Sequence, residues 1–213
     1  MSRENRIWYP GAIYHVMSRG NRRGALFRDK ADYVRFLQCI TKAREIFSFK
    51  IHSICLMTNH FHMVLETSDV ALWKVMQRIL HPYSMDFNRK YKITGHVFES
   101  RYTACIIEDD RYLLEVSRYI HLNPVKAAMV REPLEYEYSS YKHFVETTGS
   151  ENVRRSLIWK MIGDLVNTQR VLGCFNINGR EQYRMFVEGK ISHAEQEMLI
   201  MKDMKEDERW LPW

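Results

Sequence analysis

Two apolar, strand-rich runs, residues 49–57 and 60–66, are separated only by the polar pair Thr58-Asn59. So short a break between such runs predicts an antiparallel hairpin. Side chains of a strand alternate between faces. Residues 60–66 therefore set His60, His62, Val64 and Glu66 on one side and Phe61, Met63 and Leu65 on the other. The apolar side needs a core to cover it. The other side presents two imidazoles on adjacent same-face positions, close enough to ligate one divalent ion, although two surface histidines would give the same pattern.

Zinc would call for further Cys or His at ligand spacing, and Cys39, Cys55, Cys105 and Cys174 stand singly. Two histidines with one oxygen donor suit an open site for Mg2+ or Mn2+ instead. Isolated cysteines also fit a reducing compartment. No run reaches the roughly 20 apolar residues of a membrane span, and residues 1–6 lack a secretory apolar segment, so the expected location is cytoplasmic, away from membranes. A net charge of +6 with 12 tyrosines suits a partner that carries phosphates and bases.

The rest of the chain supplies elements around the hairpin. Residues 12–18 read as a strand after the Pro10-Gly11 turn and run into Arg19-Gly20-Asn21-Arg22-Arg23-Gly24. Glycines allow close backbone approach to a ligand and arginines fork onto phosphate oxygens, so this loop is a candidate phosphate contact, its alternative being a solvated turn. Asp29 caps a helix over about 30–48, and Ser68 or Asp69 caps another over about 70–91, with Pro82 inside it. Residues 97–107 supply a further strand. Strand, helix, strand, strand, helix, strand is the order of an α+β, ferredoxin-like βαββαβ core with a central antiparallel sheet.

Asp109 or Asp110 caps a helix to about Leu122. Tyr112, Tyr119 and Asn123 share one face of it, and Tyr119 and Asn123, four residues apart, are neighbours. Pro124 disfavours helical backbone at Asn123, so the helix is expected to end or bend there, with Asn123 capping a new turn. Tyr119 on spacing alone is equally an amphipathic ring at a helix–sheet boundary. Residues 1–145 are expected to form one domain and 146–213 a helical C-terminal extension. Within the extension, 153–170 and 180–205 look helical, and Trp210 and Trp213 mark a possible docking tail.

Met57-Thr58-Asn59-His60-Phe61-His62, followed by Arg118-Tyr119-Ile120-His121-Leu122-Asn123-Pro124 and preceded by Tyr14-His15-Val16-Met17-Ser18-Arg19-Gly20-Asn21, resembles the IS200/IS605 tyrosine transposases, and within them the REP-associated relatives. The resemblance spans about residues 10–130. It implies that His60, His62 and Asn123 hold a divalent ion, Mg2+ or Mn2+, that Tyr119 is the nucleophile, and that the substrate is single-stranded DNA beside a hairpin. Asn123 stands where relatives often carry Gln, one methylene longer. Arg19, Asn21, Arg22, Arg23, Arg101 and Arg118 are the candidate DNA contacts. The expected reaction is strand cleavage and transfer through a 5′-phosphotyrosine, with no nucleotide cofactor, by a monomer or homodimer. Two other classes compete. A non-catalytic single-stranded nucleic-acid-binding regulator would have no use for the two histidines and the tyrosine together, and a water-activating metal hydrolase would keep its activity without Tyr119.

Overall fold

The computed structural model describes residues 8–146, 156–175 and 177–189. Four strands, β1 (Ile13–Arg19), β2 (Phe49–Leu56), β3 (His60–Thr67) and β4 (Thr103–Ile107), form one antiparallel sheet in the order β2-β3-β1-β4. Helix α1 (Lys30–Ile46) lies between β1 and β2, and α2 (Leu72–Tyr91) between β3 and β4, the ferredoxin-like arrangement expected from the element order. Asp29 caps α1 through a reciprocal box with Asp32.

Strand alternation divides the interior in two. Tyr14, Val16, Phe61, Met63 and Leu65 face α1 and α2, meeting Phe36, Leu37, Ile40, Val75, Ile79 and Tyr83. The opposite face, which also carries His60 and His62, is covered by α3 (Asp110–Lys126), through Leu113, Val116 and Ile120. The site therefore lies between the sheet and α3.

Several local expectations are corrected. Helix α2 starts at Leu72 with Ala71 as its N-cap and no capping side chain; the Ser68 hydroxyl donates instead to Ser48 O and Asp69 Oδ1. The fourth strand begins at Thr103, not 97. Residues 97–99 are held as a loop against the end of β1 by Asn21 N–H to Val97 O and Glu99 N–H to Arg19 O, at 2.8 and 2.9 Å. Helix α3 does not stop before Pro124 but runs through it to Lys126. The ring deletes one N–H close to the helix end, and the last turn is carried on by Ala127 N–H to Asn123 O. Asn123 is consequently a helical residue whose side chain faces the sheet, not the cap of a new turn.

After α4 (Tyr141–Val145), the described part of residues 156–189 forms α5 (Leu157–Leu165), α6 (Gln169–Leu172) and α7 (Gly179–Glu188). The expected helix beyond residue 189 and the tryptophan-bearing end lie outside the described residues. Helix α5 adds Ile158, Ile162 and Leu165 to the first core, and α7 adds Tyr183 and Val187 to the second. Tyr183, fully buried, bonds Ser117 Oγ at 2.6 Å and His121 Nδ1 at 2.7 Å, both on α3. The chain extends through Ser117 to Ser53 on β2 (2.7 Å), and through His121 Nε2 to Ser140 Oγ (2.8 Å), which accepts the Ile54 N–H. Burial holds His121 neutral by lowering its pKa to about 3. One satisfied polar chain thus fixes α3 to both the sheet and α7.

The loop after β1 is tightly folded. A Cβ at Gly20 would lie 2.0 Å from Gly24 O, a backbone atom with no freedom to retreat. Gly20→Ala is expected to lower stability by about 1–3 kcal/mol, as overpacking does; a denaturant midpoint unchanged from wild type would contradict this packing.

Candidate active site

His60 and His62 project from β3 toward α3 with ring centres 5.0 Å apart and planes nearly perpendicular, at 86°. The Tyr119 ring stands edge-on to His62 at 5.4 Å. One turn later, Asn123 reaches both histidines: its Oδ1 is 3.3 Å from His60 Nε2 and its Nδ2 is 3.5 Å from His62 Nε2. All four side chains come from one chain. Glu66 shares their face but lies about 13 Å beyond His62 and about 20 Å beyond His60 along the strand at 3.3 Å per residue, where Lys50 and His52 hold its carboxylate at 2.8 and 2.7 Å.

Burial keeps both histidines neutral. The His60 pKa is lowered chiefly by desolvation, with Asn123 Oδ1, an acceptor for the doubly protonated ring, raising it and the nearby Arg19 charge lowering it further. That of His62, fully desolvated and beside His15 and His60, lies well below the ordinary value. Neutral imidazole is the metal-ligating form.

Hydrogen-bond polarity tests whether these groups suit a cation. Asn59 Nδ2 donates to Arg23 O at 3.2 Å, which turns its Oδ1 toward His60 Nδ1 at 2.7 Å. Nδ1 must then carry the ring proton, leaving a bare lone pair on Nε2, and that lone pair faces the Asn123 carbonyl oxygen. Two acceptors 3.3 Å apart lack a shared proton but match neighbouring ligands of an octahedral ion, which at bond lengths of 2.0–2.1 Å lie about 3 Å apart. Among the described residues no three His, Cys, Asp or Glu side chains cluster around a point; the polar group that faces both histidines is the amide of Asn123. The set fits an open divalent site.

The Tyr119 phenol is pushed above its ordinary pKa, first by desolvation and slightly by Cys55, while a hydrogen bond with Asn123 acts the other way. The cation beside it is Lys126, with Nζ 5.1 Å from the ring centre. Lys126→Met is expected to slow any reaction of the phenolate about 2- to 30-fold, the span of a cation–π contact of 0.5–2 kcal/mol, with unchanged thermal stability. A rate equal to wild type would remove Lys126 from the site.

The arginines separate into two groups. Arg19 ends β1 opposite His60 and pairs with Glu99 at 2.7 Å. Asn21, Arg22 and Arg23 are exposed beside it, and Arg101 is exposed just ahead of β4. Arg22 and Arg23 hold φ of 54° and 58°, a left-handed conformation that costs a side-chain-bearing residue energy and that tends to persist at functional loops. Arg118 is elsewhere. It is buried, over the Phe186 ring at 5.0 Å and 3.9 Å from Glu115, on the α7 side of α3.

Three contributors escaped the sequence reading. His15 on β1 is buried with Nε2 3.0 Å from His62 Nδ1; strand alternation does place it opposite Tyr14 and Val16, but its meeting with His62 depends on the β1–β3 register. Asn59 sits inside the hairpin motif, where it reads as a turn residue. Lys126 follows Tyr119 by seven residues, a helical spacing visible once α3 is known to pass Pro124.

The site is thus one strand bearing two histidines, facing a tyrosine and an amide one helical turn apart. The sequence profile described as "Transposase IS200 like" matches residues 9–123, more than half the chain and ending on Asn123, and the chain belongs to that family. It is similar to a protein of Haemophilus influenzae named as a REP-associated tyrosine transposase, 27% identical over 128 residues, 54% of this chain and 72% of that one. A REP-associated tyrosine transposase solved bound to a REP hairpin shares its fold, with TM-score 0.60 and 19% identity over 68% of this chain and 86% of the other. No described helix is long and apolar enough to cross a membrane.

Proposed function

We propose that the chain is a metal-dependent single-stranded DNA endonuclease and strand transferase that acts in the cytoplasm on hairpin-flanked repeat DNA through a 5′-phosphotyrosine on Tyr119. The observation that carries this reading is Tyr119 edge-on to His62 with Asn123 one turn on, facing both histidines within a single chain. A hairpin substrate is suggested by the related transposase solved with a REP hairpin.

His60, His62 and Asn123 would hold Mg2+ or Mn2+, which would supply charge neutralisation at the scissile phosphate. Tyr119 attacks phosphorus as phenolate, with Lys126 beside the ring to favour that form. The new bond joins the Tyr119 oxygen to phosphorus, the P–O3′ bond breaks, and the departing 3′ oxygen takes a proton. Attack by another 3′-hydroxyl reverses these bond changes and frees Tyr119, so no nucleotide is consumed. The exposed Asn21–Arg23 loop and Arg101 contact the backbone, whereas Arg118 acts within α3 packing. The chain would act as a monomer or homodimer.

The test is to incubate the protein with labelled single strands carrying a hairpin and flank, with Mn2+ or with EDTA. The reading predicts a denaturant-resistant protein–DNA adduct with Mn2+ and none with EDTA. Tight binding without cleavage across a panel of hairpins and ions would make the chain a binding regulator instead.

A further inference from the structure

Asn59 sits between the arginine loop and the first histidine, and the turn that bears it is gripped from two sides. Gly20 N–H donates to Asn59 O at 2.8 Å, and Leu26 and Phe27 N–H donate to Thr58 O at 2.9 and 3.0 Å. Its side chain adds the bond from Nδ2 to Arg23 O and the bond between Oδ1 and His60 Nδ1. A peptide carbonyl only accepts, so the amide orientation is decided by Arg23, and the imidazole proton is decided in turn by the amide. The carbonyl that begins this sequence belongs to one of two adjacent residues in left-handed backbone. Relaxing Arg23 to ordinary φ would redirect that carbonyl and release the amide.

From this geometry we infer that Asn59 is a positioning residue that holds His60 as the Nδ1–H tautomer, with its Nε2 lone pair aimed at Asn123, and that it transmits the shape of the Asn21–Arg23 loop to that ligand. The inference rests on the metal reading above only where ion affinity is concerned; the tautomer is a property of the protein alone. An unconstrained neutral histidine side chain favours the proton on Nε2, so without Asn59 the ring has reason to reverse and present a proton where a lone pair is needed. Distal partners of this kind change metal affinity 10- to 100-fold when removed.

The experiment is long-range 1H–15N correlation spectroscopy of the imidazoles, with the His60 signals assigned by their loss in His60→Gln, combined with Mn2+ titration of the same proteins. Wild type is expected to show His60 protonated at Nδ1. Asn59→Ala is expected to show loss of that signature and about 10- to 100-fold weaker Mn2+ binding. Asn59→Asp, which still accepts from Nδ1–H but cannot donate to Arg23 O, is expected to restore the tautomer. An unchanged His60 tautomer in a folded Asn59→Ala protein would overturn the inference, as would failure of Asn59→Asp to restore it. If wild type bound no Mn2+ while Asn59→Ala still lost the Nδ1–H signature, the metal reading would fail and the positioning role would stand.

Discussion

Tyr119→Phe is expected to abolish the covalent adduct and to lower strand cleavage at least about a thousandfold, as loss of a covalent nucleophile does elsewhere. The substitution removes one oxygen and leaves the ring, so its edge contacts with His62 and His15, at 5.4 and 6.1 Å, survive. The fold and ion site should therefore be intact, and thermal stability is expected to stay near wild type. Among the described residues, Tyr14 is buried on the other face of the sheet and Tyr112 lies nearly two turns earlier on α3, so neither stands in for Tyr119. Adduct yield and cleavage rate measured together check this. Cleavage persisting in Tyr119→Phe with a free 5′-phosphate product would assign attack to water.

Tyr183→Ala is expected to cost about 3–5 kcal/mol of stability, the usual range for deleting a buried aromatic side chain, and to lower adduct formation in proportion to the folded fraction. The ring is fully buried, stacked on Phe144 at 4.7 Å. Its hydroxyl joins Ser117 and His121, so truncation leaves two buried polar groups short of a partner as well as a cavity. Tyr183→Phe isolates the polar part and is expected to cost about 1–3 kcal/mol. Chemical denaturation of the three proteins gives both values, and a loss under 1 kcal/mol for Tyr183→Ala would mean that α7 does not hold the tyrosine helix.

How much of this was legible in the sequence depended on how local each feature is. The hairpin, the two faces of β3 and the shared face of Tyr119 and Asn123 follow from periods of two and 3.6 residues, which need no partner to be read. The same periodicity places Arg118 about 100° around α3 from Tyr119, away from the site, yet the reason it is buried is Phe186, 68 residues later in the chain. His15 needed the register of β1 on β3, a contact across 47 residues. Pro124 misled because proline rules describe a helix in isolation. Here α3 is held from outside by Tyr183, Ser53 and Ser140, and it absorbs the lost N–H without ending. Fourth-strand residues 97–102 look strand-like by composition but are committed to the loop that braces Arg19 and Asn21.

The most direct test of the central claim is to digest the wild-type protein–DNA adduct with trypsin and locate the attached nucleotide by tandem mass spectrometry. Cleavage after Arg118 and Lys126 releases residues 119–126, which contain Tyr119 and no other tyrosine. A 5′-phosphorylated nucleotide bonded to Tyr119 is expected in that peptide. The same mass on a peptide from any other part of the chain would contradict it.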